Sequence, residues 1–514
     1  MKRFLPSAVP PLALVLGLFG IPSVRAEPAV LKTDGLARHV AHFNAMENEP
    51  VVNLVPNAGA EKWLAANIPL FECPDTSVEE MYFFRWWAMR KQLRRAPDGS
   101  YVFTEFITRA DPISSALGHH LMEGRWLHDQ EYHDSYVRWW FRGNAGKPQP
   151  KFHNYSQWVD DALYQRYLVT LDRAPLVALL DDLVADYGQW EKEKQLPGGL
   201  FWQFDVRDAM EESISGSRTK KNVRPTINSY MFGNARAIAA IARLADRADV
   251  ATEFAAKAAA LRRLTEDNLW DADAKFFEVK LEDGRFSDAR EEIGFIPWYF
   301  ELPEKDRGFE AAWAQLTDEQ GFKAPLGITT AERRHPQFRS HGVGGCEWDG
   351  AVWPFATSQT LTALANVLRD YPQQVVTNRD YFDAFLTYVK SMHWGDKPYI
   401  GEYLDEKTGA WLKGDHPRSR WYNHSTFADL LITGVVGLRP RADDQLEISP
   451  LLPADTWNWF CLDDVRYHGR ALTIIWDHDG TRYGRGRGLI VLADGRELAR
   501  ADSLRPLTAK LSPR

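Results

Sequence analysis

The chain has 514 residues, long enough for one large domain plus a small one or for three ordinary domains, and its composition, 45% hydrophobic and 26% charged, is typical of a globular protein. Its formal net charge of −8 argues against an extended phosphate-binding surface, so we expect no nucleic-acid partner. Aromatic residues are abundant, with 20 Trp, 18 Tyr and 27 Phe. Flat aromatic rings suit hydrophobic cores and sugar-binding clefts alike.

The N-terminus has the pattern of a signal peptide over residues 1–26. Lys2 and Arg3 are basic, residues 8–20 form a short apolar run, and an A-x-A-like site ends at Ala26. The apolar run is too short and too interrupted by Pro for a membrane span, and no later segment reaches 18 apolar residues. We therefore expect cleavage after Ala26 and a secreted or periplasmic protein, with a retained N-terminal anchor as the alternative.

Cysteine and metal-ligand patterns point to no cofactor. The three cysteines are Cys73, Cys346 and Cys461, an odd number that leaves room for one disulfide of unknown pairing. The spacings C-x-x-C and H-E-x-x-H are absent, as are the P-loop, G-x-S-x-G and dinucleotide fingerprints. We expect no metal in catalysis, and a structural Ca²⁺ in an Asp-rich loop stays open.

Helical spacing dominates the chain from residue 76 to residue 438. Residues 27–75, rich in Pro and Asn, are predicted to be irregular. Predicted helices cover 78–95, 156–171, 176–194, 228–247, 251–271, 357–371, 379–393 and 424–438. Most of them form successive hairpins, separated by loops rich in Gly, Pro, Trp and Asp. This arrangement predicts a mainly α fold of the α/α toroid type over residues 76–438.

The pattern changes near Arg439. Short strand-like runs at 445–452, 461–477, 487–494 and 496–502 are punctuated by Gly, Asp and Pro. We predict a small antiparallel β domain over residues 439–514, packed on the helical domain.

Three loops combine carboxylates with aromatic rings. They are 201–218, with Trp202, Asp205, Asp208, Glu211 and Glu212; 346–359, with Glu347, Trp348, Asp349 and Trp353; and 397–414, with Glu402 and Tyr403. Glycoside hydrolysis needs one protonated carboxyl for the leaving oxygen and one ionised carboxylate that activates water or attacks the sugar. A single acid in a turn is more simply explained as solvated or as a helix cap. Three such loops together favour a carboxylate site.

Other side chains are candidates for sugar binding because helix ends at one rim of a toroid converge. The candidates are Arg85, Trp86, His120, Glu123, Arg125, Trp126, Trp202, Asn228, Tyr230, Trp348, Asp349, Trp353, Tyr403, Trp421 and His424. The alternatives are core packing for the tryptophans, a helix cap for Asn228 and a satisfied core hydrogen bond for His424.

The first acidic loop resembles a motif of a known enzyme group. Residues 207-RDAMEES-213 are similar to the E-S-G-W/M-D-N/F-S motif of inverting (α/α)6-barrel glycosidases: trehalases, processing α-glucosidases and mannosylglycerate-hydrolase-like enzymes. The resemblance puts Glu211 at the position of the acid and Ser213 at the final Ser. Arg207 and Asp208 depart from the motif at its start, and Asp208 is the alternative acid.

Two later stretches extend the resemblance. Residues 347-EWDGAVW-353 are similar to Q-W-D-Y-P-N-A/G-W with one residue fewer, and 402-EYLDEKTG-409 is similar to the E-K/N-Y-D/N motif that supplies the base. An aromatic segment, 421-WYNHSTF-427, follows, as it does in these enzymes. The three motifs keep the order of the family across residues 200–430.

The resemblance implies a six-hairpin glycosidase with a C-terminal β domain. It implies an exo-acting, inverting hydrolase of an α-linked sugar in an oligosaccharide or glycoside. Glu211 would protonate the glycosidic oxygen and Glu402 would deprotonate water, with the carboxyl groups about 6.5–9.5 Å apart. The alternatives are a polysaccharide lyase or sugar epimerase on the same barrel, or a catalytically inactive glycan-binding protein. The sugar and the oligomeric state stay open.

Overall fold

The structure is a computed structural model that describes residues 30–340, 342 and 345–511. The predicted signal peptide, residues 1–26, lies outside the described residues.

Helices are the main regular secondary structure before residue 438, as the sequence predicts. The α-helices are Asp34–Ala45, Asn57–Asn67, Thr76–Gln92, Leu117–Gly124, Glu131–Arg142, Val159–Thr170, Arg173–Val177, Leu180–Lys194, Pro225–Leu244, Ala248–Leu269, Ile296–Tyr299, Ala314–Thr317, Pro354–Asp370 and Asn378–Ser391. A π-helix covers Leu430–Val436, and 3₁₀ turns cover Ser114–Ala116, Phe152–Asn154, Asp205–Arg207, Glu292–Phe295 and Phe309–Trp313.

Local sequence explains where several of these helices begin. The side chain of Asp75 accepts hydrogen bonds from the backbone of Ser77 and Val78, which satisfies two free N–H groups of the helix Thr76–Gln92. Thr377 and Asp380 form a capping box at the start of Asn378–Ser391. Caps of this kind fix the helix ends, and the loops between them build the pocket described below.

The long helix Pro225–Leu244 illustrates how tightly the helices pack. It is buried along most of its length and is followed after three residues by Ala248–Leu269, its hairpin partner. A Cβ atom at Gly233 would lie 2.3 Å from the ring of Phe300, so only glycine fits there. Small residues at such contacts let backbone and rings approach at native packing density.

The expectation of irregular structure over residues 27–75 is wrong for the described part of that segment. It forms the helices Asp34–Ala45 and Asn57–Asn67 and the strand Leu70–Glu72. Leu36, Val40 and Phe43 lie on one face of the first helix and are buried, with Phe43 against the ring of Trp87. Tertiary packing stabilises these elements although their Pro and Asn content is typical of loops.

The C-terminal region forms antiparallel sheets, as predicted. The strands here are Leu438–Arg439, Gln445–Ile448, Trp459–Tyr467, Arg470–Asp477, Gly488–Ala493, Arg496–Ala501 and Leu507–Lys510. Five-stranded and three-stranded sheets result, and the strand Leu70–Glu72 from the N-terminal part of the chain forms one edge of the larger. One hydrophobic core runs through the helical and β regions.

Short two-stranded ribbons join the helices elsewhere. They pair Leu93–Arg95 with Tyr101–Phe103, Trp270–Asp271 with Phe276–Phe277, Lys323–Ala324 with Gly327–Ile328, and His393–Trp394 with Lys397–Pro398.

Three expectations from the sequence concern disulfides, membrane spans and metal sites. Cys73, Cys346 and Cys461 are all free thiols, so no disulfide joins them. No helix in residues 30–340 and 345–511 has the length and hydropathy to cross a membrane. In the same residues, no three or more His, Cys, Asp or Glu side chains are grouped so that they could hold a metal ion.

Candidate active site

Glu211 and Glu402, which are 191 positions apart in the sequence, line one pocket. Its walls are Glu105, Phe106, Arg109, Ile113, Ser115, Tyr155, Ala209, Glu211, Cys346, Trp348, Trp353, Phe355, Glu402, Arg418, Tyr422 and His424. All three acidic loops contribute, together with the segment 105–115, which the sequence analysis did not single out. Trp348, Trp353 and His424 were predicted to bind sugar and do lie in this wall.

Backbone hydrogen bonds join the acidic loops to one another. The N–H of Trp348 donates to the carbonyl of Glu211 over 3.4 Å, which links the first loop to the second. Val352 and Leu404 exchange two backbone hydrogen bonds of 3.0 Å, which link the second loop to the third. The positions of Glu211 and Glu402 are therefore coupled through main-chain contacts.

Backbone hydrogen bonds also hold the segments of Tyr422 and Glu105, which form another wall of the pocket. Tyr422 donates its N–H to the carbonyl of Ile400 over 3.2 Å, and Asn423 donates its N–H to the carbonyl of Glu105 over 3.0 Å. The Asn423 amide also donates to the carbonyl of Thr104. These bonds hold the segment around Glu105 beside the loops that carry the predicted acid and base.

The loop around Glu211 contains strained backbone. Ala209 and Glu212 have φ values of 60° and 69°, in the left-handed region that non-glycine residues rarely adopt. Strained positions of this kind persist where the surroundings hold them, often at functional sites. Here Ser215 donates to the buried carboxylate of Glu291 through both its N–H and its hydroxyl, which anchors the loop.

Burial, together with the negative charges of Glu402 and Asp205, raises the pKa of Glu211 to about 6. A carboxyl with this pKa carries a proton over a wider pH range than an ordinary glutamate. That protonated form is what a general acid requires.

Glu402 lies in a different electrostatic environment. Burial raises its pKa, while the cations Arg418 and Lys413 and the thiol of Cys346 act in the opposite direction. The Cys346 thiol donates to Oε1 of Glu402 over 3.9 Å, and Oε2 has no hydrogen-bond partner within the described residues. Glu402 therefore has nearby cations that favour its ionised form and one carboxylate oxygen that no described protein group occupies.

Glu105 is a third carboxyl in the pocket, and it was not among the residues predicted from the sequence. It is almost fully buried, and its Oε1 accepts a hydrogen bond of 2.5 Å from the Tyr422 hydroxyl. Burial is the main cause that raises its pKa to about 8; the charges of Glu402 and Glu211 act in the same direction, and the Tyr422 hydrogen bond acts in the opposite one. Glu105 follows a short strand with no motif around it, so only its position in the fold marks it.

Aromatic rings and two arginines form the remaining walls. Trp353 stacks between Trp348 and Tyr403, with ring centroids 4.4 and 4.6 Å away. Tyr403, predicted to contact sugar, thus lies behind Trp353 and outside the pocket wall. The guanidinium groups of Arg109 and Arg418 lie 4.8 and 4.4 Å from the centroid of Phe106. Neither arginine has an ion-pair partner among the described residues.

Asp208, the alternative acid, lies outside the pocket wall. Its Oδ2 pairs with Nε of Arg224 at 2.7 Å, and both side chains are buried. This ion pair fastens the first acidic loop to the start of the helix Pro225–Leu244. The structure therefore favours Glu211 over Asp208 as the carboxyl that faces a substrate.

Two predicted sugar-binding pairs are core residues instead. Arg85 donates to the Tyr388 hydroxyl and to the carbonyl of Ser425, and Trp86 is fully buried. Arg125 and Trp126 both donate to Oδ1 of Asp429, over 2.8 and 2.7 Å. Trp and Arg side chains at helix ends can pack in a core as well as bind ligands, and these four lie in the core, so their contact with sugar stays a prediction.

The other predicted binding residues also have structural roles. Asn228 exchanges hydrogen bonds with the backbone of Phe201, Tyr230 accepts from Gln359, and Asp349 pairs with Arg339. Trp202 lies beside the ammonium groups of Lys194 and Lys221, and Trp421 packs edge-on against Trp87. None of these five side chains belongs to the pocket wall, and their contact with sugar stays a prediction.

Comparison with known proteins gives two family matches. Residues 110–425, more than half of the chain, match the mannosylglycerate hydrolase MGH1-like glycoside hydrolase domain. Residues 438–499 match the C-terminal domain of glycosyl hydrolase family 65. Every residue of the pocket wall except Glu105, Phe106 and Arg109 lies within the first match.

Solved structures show the same fold. A protein named sialidase is 49% identical with a TM-score of 0.92, and the match covers 94% of this chain. This chain spans only 45% of the length of that protein. The GH63 mannosylglycerate hydrolase from Thermus thermophilus, in complex with glucose, is 15% identical over 68% of this chain and 99% of its own length, with a TM-score of 0.52.

A GH78 rhamnosidase of Bacillus sp. GL1 has a TM-score of 0.58 and 14% identity over 80% of this chain and 40% of its own. At such low identity these last two matches concern the fold alone. Together with the helices and sheets above, the comparisons confirm the predicted toroid glycosidase fold with its small β domain.

Proposed function

The chain belongs to the mannosylglycerate hydrolase MGH1-like glycoside hydrolase family, and from this premise we propose that Glu211 and Glu402 are the general acid and general base of an inverting hydrolysis. The observation that carries this proposal is their shared pocket, in which two buried carboxyls have different surroundings. Pairs of titratable groups with different environments are typical of acid–base catalysis. Family membership favours hydrolysis over the lyase and epimerase alternatives.

In this mechanism Glu211 holds its proton on the side of the leaving group. As the glycosidic bond breaks, the proton passes to the glycosidic oxygen, which leaves as a neutral hydroxyl group. Ionised Glu402 takes a proton from a water molecule on the opposite face of the sugar, and the resulting hydroxide bonds to the anomeric carbon. Charge balances because the proton lost by Glu211 is matched by the proton gained by Glu402.

The electrostatics of the pocket support these two roles. Arg418, Lys413 and Arg109 all lower the pKa of Glu402 and so favour the ionised base. Glu211 has weaker cationic support, because the negative charges of Glu402 and Asp205 act on it more strongly than the positive charge of Arg218. Glu211 therefore keeps its proton up to about pH 6, while the cations around Glu402 offset part of the burial that opposes its ionised form.

We further propose that the substrate is an α-linked sugar attacked from its end, in an oligosaccharide or simple glycoside. This proposal depends on the motifs that resemble trehalases and processing α-glucosidases. The sequence at residues 1–26 supports a proposal of export with cleavage after Ala26. N-terminal sequencing of the protein from a periplasmic or culture-medium fraction tests it, and a mature chain starting at Glu27 is expected.

The activity is tested with a panel of aryl glycosides and α-linked disaccharides, in which the first anomer formed is followed by NMR. Inversion predicts that an α-linked substrate releases the β anomer first. Release of the α anomer would instead make Glu402 a nucleophile in a retaining reaction. Sugar binding without turnover in the wild-type protein would identify an inactive glycan-binding protein.

A further inference from the structure

Glu105 is a buried carboxyl that the proposed acid–base mechanism does not use. Two hydrogen bonds from Asn423 fix its backbone. The N–H of Asn423 donates to the carbonyl of Glu105, and the side-chain amide of Asn423 donates to the carbonyl of Thr104. Its side chain lines the pocket that holds Glu211 and Glu402. Glu105 therefore has a fixed position in the wall of the pocket.

The hydrogen bond from Tyr422 assigns different roles to the two oxygens of Glu105. The Tyr422 hydroxyl donates to Oε1, so Oε1 acts as the acceptor. Oε2 has no hydrogen bond to any described residue, and it is the oxygen left to carry a proton. A protonated carboxyl of this kind can donate from one oxygen to a ligand in the pocket.

The surroundings of Glu105 oppose a third negative charge. Glu402 and Glu211 are nearby carboxyls, Arg418 is the cation that offsets them, and the neutral phenols of Tyr422, Tyr155 and Tyr136 complete the neighbourhood. Three carboxylates in one buried pocket repel one another, so at least one keeps its proton. Glu105 is about nine-tenths buried, and its pKa of about 8 lies above the value of about 6 for Glu211, so Glu105 keeps its proton to the higher pH.

We propose that Glu105 contacts the substrate, and that its protonated Oε2 donates a hydrogen bond to a hydroxyl group of the sugar on which Glu211 and Glu402 act. Glu105 is then a specificity residue, because a sugar that lacks this hydroxyl leaves a buried polar group unpaired. Sites that hydrogen-bond a substrate hydroxyl reject the analogue without it strongly. This inference rests on the proposed function, since it places the sugar between the same two carboxyls.

The test combines Glu105 variants with deoxy analogues of the aryl glycoside that the wild-type enzyme hydrolyses best. For wild type, kcat/KM should fall by about 100-fold or more on one monodeoxy analogue. Glu105→Ala should lose a similar factor on the parent glycoside, yet almost nothing further on that one analogue. Equal losses on the parent and on every deoxy analogue would overturn the inference and leave Glu105 as a structural residue.

Glu105→Gln is the conservative variant, because an amide keeps both a donor and an acceptor. At pH 6 it should retain kcat/KM within about tenfold of wild type, whereas the Ala variant should not. The matched control is Glu212→Gln, an exposed glutamate in the acid loop, which should leave kcat/KM and the deoxy preference unchanged. A Gln variant as impaired as the Ala variant, with the wild-type Tm, would contradict the hydrogen-bond role.

The pH profile gives a readout that a structural role would not change. Ionisation of Glu211 near pH 6 lowers log kcat/KM with a slope of −1, and ionisation of Glu105 near pH 8 steepens the slope to −2. Glu105→Gln should keep a slope of −1 through pH 9. A wild-type slope that stays at −1 through pH 9 would overturn the inference.

Failure of the inference and failure of the proposed function give different results. If wild type hydrolyses no glycoside, the proposed function fails, and calorimetry with free monosaccharides and their deoxy forms then tests Glu105 directly. Tighter binding of a sugar than of one of its deoxy forms, lost in Glu105→Ala, would support the contact. Identical binding of all forms to both proteins would refute it.

Discussion

The pocket and the core behind it both contain buried carboxyls, but their partners differ. In the core, both oxygens of Glu123 accept backbone N–H groups of Phe427, Ala428 and Asp429 over 2.9–3.1 Å, and Asp429 accepts from Arg125 and Trp126. In the pocket, Glu402 and Glu105 each keep one oxygen without a hydrogen bond from the described protein. Buried polar groups are normally satisfied by their own chain, so an unpartnered carboxylate oxygen that also lines a pocket marks a position where a ligand can bind.

The largest expected effect is the loss of activity when a carboxyl of the pocket is replaced. Glu402→Gln and Glu211→Gln should each lower kcat/KM by about 10²–10⁴-fold, because the amide can neither take a proton from water nor donate one to a leaving oxygen. The variants should keep the wild-type Tm, since neither carboxylate pairs with a cation among the described residues. Full activity in Glu402→Gln would show that Glu402 is not the base.

The next largest effect is expected at Asp208, which is both part of a buried ion pair and the alternative acid. Asp208→Asn breaks a buried ion pair with Arg224, which is expected to destabilise the fold by about 3–5 kcal/mol. Thermal unfolding measures this loss, and active-site titration gives kcat for the fraction that stays folded. That kcat should match wild type. An unchanged Tm with lost turnover would instead make Asp208 the acid.

A smaller effect is expected from the pH dependence of stability at Glu105. Its pKa is raised in the folded state to about 8, so folded Glu105 holds its proton when the unfolded chain has released it. The contribution of Glu105 to the free energy of unfolding is therefore complete below about pH 4, and it is lost as the pH rises towards 8. The Tm difference between Glu105→Gln and wild type should therefore increase in favour of the variant from pH 5 to pH 9. A constant difference would show that Glu105 is ionised throughout this range.

The smallest effect is expected at an exposed ion pair in the same acid loop. Glu212 and Arg218 form a surface pair at 2.9 Å, and exposed pairs contribute about 0.2–1 kcal/mol at most. Glu212→Ala should therefore change Tm and kcat/KM little. A large loss of activity would mean that the loop conformation, rather than the carboxyl of Glu211, controls turnover.

Much of this molecule is predictable from local sequence. Helical periodicity placed most of the long helices of residues 76–438 close to their observed bounds, and the switch to alternating strands near Arg439 marked the β region. Three loops that combine acids with tryptophan or tyrosine identified Glu211 and Glu402, which share a pocket in the structure. These features depend on spacing and residue type, which a sequence contains directly.

Local sequence gives least information on residues whose contacts lie far along the chain. Nothing near Asp208 shows that Arg224 will neutralise it, and nothing near Arg125 or Trp126 points to Asp429, which lies 304 and 303 positions later. Residues 34–67 form helices because they pack on Thr76–Gln92, although their composition is typical of loops. In each case the deciding contact lies outside the local window from which the prediction was made.

The sequence by itself therefore determined most of the secondary structure, the order of the acidic loops and the two carboxyls proposed for catalysis. Only the tertiary structure decided which buried charges are paired and which face the pocket. It also brought Glu105, which no sequence motif marks, beside Glu211 and Glu402. The physical reason is that desolvation and hydrogen-bond satisfaction depend on every neighbour in space, and the packed fold alone supplies those neighbours.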